Sequence, residues 1–556
     1  MHILRAFALA ILATAAALPS LAQPSATVIS PERLSAHVKV LADASLAGRA
    51  PGGPGEAGTV DYIVAQFKAL GLAPAGDAGG WTQAVPMVRF QVQPGAAFTL
   101  TAGGQSRALT ETREIMAWTQ RPLAHVQLAA APLVFVGYGV TAPERGWDDF
   151  KGYDLKGKVA VFLINDPDFE AKPGEAVAGR FGGKAATYYA RWTYKYEEAA
   201  RRGAIGALIV HETAGAAYEW SVVTASNGDS YDVVRASPEA DKPLVQGWIQ
   251  RDVAVDLFMR SGLDFETLKA AARTPAFRPV ELKGATFAAD FAVHVDNIVS
   301  HNVIATLPGA RRPAESVMFA AHWDAFGIGP ADATGDTVRH GAADDAIGVA
   351  GVIELARAFS YAPRTERTLA FAAWTGEERG LLGSEYWASH PTLPLATTAA
   401  NLTMDVLQTA GPSRDVVLVG AGQNSLDADL ARAAAGQHRT VTPDARPERA
   451  LNYRADHFSV ARRGVPTLLL MGIGGGADLV DGGRAAGDRW VADYTDRCYH
   501  KPCDDWSPAW DLRGAAADVA LLFDLGDDLA NSSRWPDWNA GSEFKATRAR
   551  TAAQRR

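Results

Sequence analysis

From about residue 297 onward, short apolar runs alternate with polar, glycine-bearing segments. Val317-Met318-Phe319-Ala320-Ala321 and Leu369-Ala370-Phe371-Ala372-Ala373-Trp374 are apolar throughout, and Val416–Gly420 and Pro466–Met471 are nearly so. Runs of this length without polar alternation predict strands buried on both faces, as in a parallel sheet. After Asp344 the period changes, because Val349, Ile353, Ala356 and Phe359 recur at helical spacing. Together these predict an α/β fold with a mostly parallel mixed sheet flanked by helices. Val60, Ile63, Phe67 and Leu70 follow the turn-rich Pro51-Gly52-Gly53-Pro54-Gly55 at helical spacing, so 30–76 reads as helical with one loop. Between 88 and 296 the texture changes to short strands with frequent turns, which predicts a β-rich insertion, and 297–307 returns to the main sheet.

The apolar runs end in chemistry. His322-Trp323-Asp324 follows the first, and residues two apart in extended chain point the same way. Asp324 is therefore expected to hold one ring nitrogen of His322 while the other binds metal. Asp344-Asp345 sits at a strand-to-helix switch, where open α/β sheets bind ligands. Glu377-Glu378 follows the Leu369–Trp374 run; adjacent side chains diverge, so one glutamate can bind metal while the other faces a water.

These three motifs, with Asn401-Leu402-Thr403-Met404-Asp405 and Tyr499-His500-Lys501-Pro502 after them in order, resemble the co-catalytic zinc aminopeptidases. That group includes bacterial leucyl aminopeptidases, aminopeptidase Y and glutamate carboxypeptidase. The resemblance implies a zinc-dependent exopeptidase fold with two zinc ions. It implies His322, Asp344, Glu378, Asp405 and His500 as ligands, Asp344 as the bridge, and Glu377 as general base acting on a metal-bridging water. Leu46-Ala47-Gly48-Arg49 and Phe67–Leu72 resemble the same family's amino-terminal segment. Leu133–Val140, Tyr153–Ile164 and Glu197–Val210 resemble a protease-associated domain. Arg454-Ala455-Asp456-His457-Phe458 resembles a family segment that supports the site without binding metal. His340 is expected as an exposed loop histidine and Tyr453 as a packing residue, with substrate contact the alternative for each.

The implied activity is removal of amino-terminal residues from peptides. The same fold also serves carboxypeptidases of the glutamate-releasing kind, single-zinc glutaminyl cyclases, and receptor ectodomains that have lost ligands and only bind partners. The intact ligand set argues against the last.

Residues 1–22 read as a secretory signal peptide, with Arg5, an apolar run from Ala6 to Leu18 and Ser20-Leu21-Ala22 as the cleavage site. The run is too short for a bilayer span, so an exported protein, periplasmic or extracellular, without stable membrane insertion is expected. Across 556 residues, 48% hydrophobic content allows sizeable cores and a net charge of −8 argues against nucleic acid as a partner. The expected organisation is a leader at 1–22, main domain at 23–87 and 297–536, insertion at 88–296, and a disordered polar tail at 537–556. Both cysteines, Cys498 and Cys503, flank His500, and in an exported chain a disulfide is expected there.

Overall fold

The computed structural model describes residues 28–225 and 228–555, so the expected leader at 1–22 lies outside the described residues. The main sheet is built from β1 (Ala73–Pro74), β2 (Thr82–Val92), β3 (Val280–Leu307), β4 (Arg312–His322), β5 (Arg367–Trp374), β6 (Thr398–Asp405), β7 (Asp415–Val419), β8 (Thr440–Pro443) and β9 (Thr467–Met471). Its order is β2-β3-β5-β4-β6-β9-β7-β8, with β1 added to the end of β3. The centre, β5-β4-β6-β9, is parallel. The apolar runs fall here: β5 and β6 are buried along their whole length, and β4 from Ser316 onward.

Side chains from these strands alternate between two layers, as period two requires. Val317, Phe319, Ala321, Phe371 and Ala373 face helices Pro31–Leu41, Glu56–Ala69, Ile347–Tyr361 and Arg513–Asn531. Met318, Ala320, Ala370, Ala372 and Trp374 face the other side, where Trp387 and Val460 come from helices Leu382–Ser389 and His457–Ala461. Phe319 stacks on Phe371 at 5.6 Å. Among the described residues no helix is long and apolar enough to cross a membrane.

The insertion forms a second sheet in which His125–Phe135, Val159–Leu163, Gly206–His211 and Val245–Gln250 run parallel. Its limits differ from the expected 88 and 296, both of which fall inside strands. β3 is a single 28-residue strand. Its first part pairs with Ala97–Ala102 and His125–Phe135 in the second sheet, and residues 293–303 pair with β2 in the main sheet. Both patterns have period two, so no break in the sequence marks the passage. The insertion also returns Asp229–Val233 to the outer edge of β2.

The tail is a second correction. Residues 537–555, expected to be disordered, pack on the main body. Trp538 is 2% exposed and its indole N–H donates to the Gly464 carbonyl at 2.9 Å. Phe544 is buried, and Arg548, in helix Lys545–Arg550, donates to the Thr398 carbonyl. Two buried aromatics and the Arg548 hydrogen bond help to offset the cost of ordering this polar segment.

Candidate metal centre

Three parallel neighbours end at one edge of the main sheet. His322 is the last residue of β4 and Asp405 the last of β6, while Glu377 and Glu378 lie just beyond Trp374 at the end of β5. Asp344 comes from the irregular turn Ala342–Ala346 that opens helix Ile347–Tyr361, and the Asp344-Asp345 peptide is cis. His500 arrives from the loop between helices Gly483–Arg497 and Arg513–Asn531.

The side chains converge as two groups sharing one carboxylate. His322 Nε2 lies 3.1 Å from Asp344 Oδ1 and 3.9 Å from Asp405 Oδ1. His500 Nε2 lies 3.3 Å from Asp344 Oδ2 and 3.3 Å from Glu378 Oε2. Asp344 thus offers a different oxygen to each group. Glu377 belongs to neither, yet its Oε2 reaches within 4.0 Å of His322 Nε2. Within each triplet the candidate ligand atoms lie within 4.8 Å of one another.

The donor set fits zinc. Each triplet combines an imidazole nitrogen with carboxylate oxygens, the mixture zinc accepts. His500 Nε2 is buried without a hydrogen-bond partner, as a ring nitrogen aimed at a cation would be. Burial pushes Glu377, Glu378 and Asp405 up, with neighbouring carboxylates adding to the shift. For Asp344 burial acts the same way, but the His322 and His500 imidazoles prevail and hold it low. Burial would lower His322, but Glu377, Asp324, Asp344 and Asp405 keep it well above its ordinary value. So many acids in one buried place call for cations.

The Asp324 expectation needs correcting. His322 Nδ1 lies 3.1 Å from the Asp324 backbone carbonyl but 3.7 Å from its carboxylate. The carboxylate instead accepts the N–H groups of Glu377 at 3.0 Å and Glu378 at 3.4 Å. β4 ends at His322, so the same-face rule for extended chain no longer applies two residues later. Asp324 positions the Glu377-Glu378 turn rather than the imidazole ring.

Three other supports carried no assigned role in the sequence reading. Asp345 accepts the N–H groups of His322, Gly348 and Val406, tying three ligand-bearing segments together. Asp504 accepts the N–H groups of Ala343 and Asp344 and the Tyr494 hydroxyl. Arg49 is 1% exposed and donates to the carbonyls of Leu41, Trp323, His340 and Gly341 at 2.6–2.7 Å. Position four residues after His500 and adjacency to Asp344 were the available signals for Asp504 and Asp345. Arg49 lies in a recognised motif, but its partners are more than 270 residues away except for Leu41. Arg49→Met leaves these carbonyls without their donor and is expected to cost about 3 kcal/mol or more of stability, read as a lower denaturant midpoint.

His340 is buried rather than exposed, contacting the Ala42 carbonyl and Asp336. Tyr453 donates to Glu543 at 2.9 Å and packs on Phe458, so its hydroxyl is engaged inside the protein. Asp456 is buried, and its carboxylate lacks a hydrogen-bond partner among the described residues. His457 Nε2 donates to Asn452 Oδ1 at 3.2 Å.

Cys498 and Cys503 form a disulfide around His500, whose ring lies between Tyr499 at 3.7 Å and Phe326 at 4.3 Å. Closing so short a ring removes about 2 kcal/mol of unfolded-state entropy. A Cys498→Ser/Cys503→Ser variant is expected to hold zinc roughly tenfold more weakly, since a looser His500 must be ordered on binding. Competition with a chelator measures this; unchanged retention would remove the bridge from the site's support.

Residues 302–523 match the family model described as peptidase family M28. A probable zinc metalloprotease of Pyrenophora tritici-repentis (strain Pt-1C-BFP) is 38% identical over 106 residues, covering 19% of this chain and 24% of that protein. Leupeptin-inactivating enzyme 1 of Streptomyces exfoliatus is 27% identical over 233 residues, covering 40% of this chain and 48% of that protein. The chain thus spans less than half the length of these curated relatives. Among solved structures, an aminopeptidase from Aneurinibacillus sp. strain AM-1 aligns over 91% of this chain and 95% of its own, at 21% identity and a TM-score of 0.49.

Proposed function

We propose that the chain, whose residues 302–523 match peptidase family M28, is an exported two-zinc exopeptidase that removes amino-terminal residues from peptides. One observation carries the reading: Asp344 presents one oxygen to the His322–Asp405 group and the other to the His500–Glu378 group, while Glu377 stands free beside them. His322, Asp344 and Asp405 would hold one zinc ion, and Asp344, Glu378 and His500 the other. The pair would polarise the substrate carbonyl and lower the pKa of the attacking water. The probable zinc metalloprotease relatives support zinc as the metal.

The chain's own residues then do the proton work. Glu377 takes a proton from the attacking water and returns it to the leaving amine nitrogen. Its burial among Asp405, Asp456 and Asp344 raises its affinity for that proton, which suits a group that must carry it between two atoms. Asp324, holding the Glu377 and Glu378 N–H groups, keeps base and ligand side by side on diverging side chains. Export rests on the leader read at 1–22 and agrees with the Cys498–Cys503 disulfide.

The test is digestion of a mixed peptide library by the zinc-loaded protein, read by mass spectrometry, with amino-acetylated peptides and a chelator as controls. Stepwise loss from free amino ends, abolished by acetylation and by the chelator, is the expected result. Trimming from carboxyl ends or cyclisation of amino-terminal glutamine would reassign the reaction on the same metal centre.

A further inference from the structure

The two ligand groups are held differently. His322 and Asp405 end strands that pair at the centre of the main sheet, whereas Glu378 and His500 both stand on loops. The second group therefore depends on side chains that fix those loops against each other. One side chain spans both. Arg379 follows Glu378 in the 376–380 turn, which is closed by the Gly380 N–H donating to the Glu377 carbonyl at 2.9 Å. Its guanidinium lies 4.9 Å from the centre of the Phe326 ring and donates to the Phe326 carbonyl at 3.4 Å. Phe326 in turn packs on the His500 ring at 4.3 Å.

The same guanidinium also meets the insertion. Tyr231, from the strand Asp229–Val233 that the insertion returns to β2, has its ring 5.0 Å from Arg379. That ring is itself fixed. Tyr231 pairs in register with Arg89 of β2, whose guanidinium sits 5.7 Å from the ring and is held by Asp229 at 2.8 Å. Gln120 Nε2 donates to the Tyr231 carbonyl at 2.7 Å. Among the described residues Arg379 makes no ion pair. An ordinary surface arginine would turn to water or to a carboxylate, whereas Arg379 is half-buried against two aromatic rings.

A planar guanidinium stacks on aromatic faces while keeping donors free for a carbonyl, which the point charge of a lysine does less well. The contacts form one unbroken series from Tyr231 through Arg379 and Phe326 to His500, and Glu378 is the chain neighbour of Arg379. We propose that Arg379 is a positioning residue of the metal centre, through which the insertion strand Asp229–Val233 holds Glu378 and His500 within reach of one zinc ion. The proposal rests on the two-zinc reading above. The insertion is then part of how the centre is built, and its edge strand sets how firmly one of the two ions is kept.

The experiment is stepwise competition of the zinc-loaded full chain against a chelator, reading how tightly each ion is held. Arg379→Met keeps an unbranched stem and removes the planar donor. It should release one ion about tenfold more readily than the native protein and leave the other unchanged, the size of effect expected when a ligand loses its support. The loss should persist in an Asp405→Asn background, where the His500 group alone is intact. Arg379→Lys should recover part of it. Tyr231→Leu should reproduce it at about threefold or more, and Tyr231→Phe, which keeps the ring, should hold both ions as the native protein does. Tyr231→Leu also keeps the question answerable should Arg379→Met fail to fold. Native retention of both ions in Arg379→Met, or both weakened alike, would overturn the role. Native retention in Tyr231→Leu beside a weakened Arg379→Met would overturn the insertion's part in it. A native chain that binds no more than one zinc ion removes the two-zinc reading and this proposal with it. A chain that holds two ions but hydrolyses no peptide sinks the peptidase reading alone, and the zinc competition still decides on Arg379.

Discussion

Glu377→Gln is expected to lower kcat by about 10³-fold, within the range a positioned general base contributes, while leaving the zinc content of the native protein unchanged. The substitution keeps shape and hydrogen-bonding capacity but removes the proton acceptor. Glu377 lies outside both triplets, so metal content, measured by atomic emission on the dialysed variant, should match the native protein. The Asp324 carboxylate contacts the Glu377 backbone rather than its side chain, so the turn should stay in place. A Glu377→Gln protein with near-native turnover would remove this residue from the proton path. One that lost zinc would make it a ligand.

Asp344→Asn should be worse, because it strikes both groups at once. One Asp344 oxygen faces His322 and the other faces His500, and an amide presents only one oxygen, the other position being an N–H₂ donor. Zinc content should fall below one ion per chain, and turnover by at least about 10³-fold, since metal capture and activation of the water fail together. Asp405→Asn touches only the His322 group and should spare the second site. If Asp344→Asn retained both ions with near-native affinity, the shared carboxylate would not be the bridge.

Part of the centre could be read from the chain because it is local: His322 and Glu377-Glu378 each follow an apolar run whose length marks a buried strand, and parallel neighbours deliver their following loops to one edge. Asp405 follows the mixed run Asn401–Met404, and it and His500 were legible only through the family resemblance. What could not be read is tertiary. Arg49 looks like any arginine until its guanidinium is seen against carbonyls of two distant loops. The Asp324 carboxylate was misassigned because a periodic rule was carried past the strand's end. His340 reads as exposed from its polar surroundings, although the loop is folded inward and its ring nitrogens are held by the Ala42 carbonyl and Asp336. The tail was judged by its arginines, whereas Trp538 and Phe544 decide where it goes.

The shared strand β3 makes the insertion a lever rather than a pendant. At about 3.3 Å per residue its 28 residues extend roughly 90 Å along the chain, and they carry ladder hydrogen bonds in both sheets. A tilt of the insertion must bend that beam or break its pairing with β2, so the two bodies are geared to each other. The joint lies where Gln93 donates to the Ala292 carbonyl, between the last main-sheet pair and the first pair of the second sheet. Anyone transplanting the insertion as a cassette would have to cut there, because cuts at 88 and 296 sever strands that belong to the main sheet.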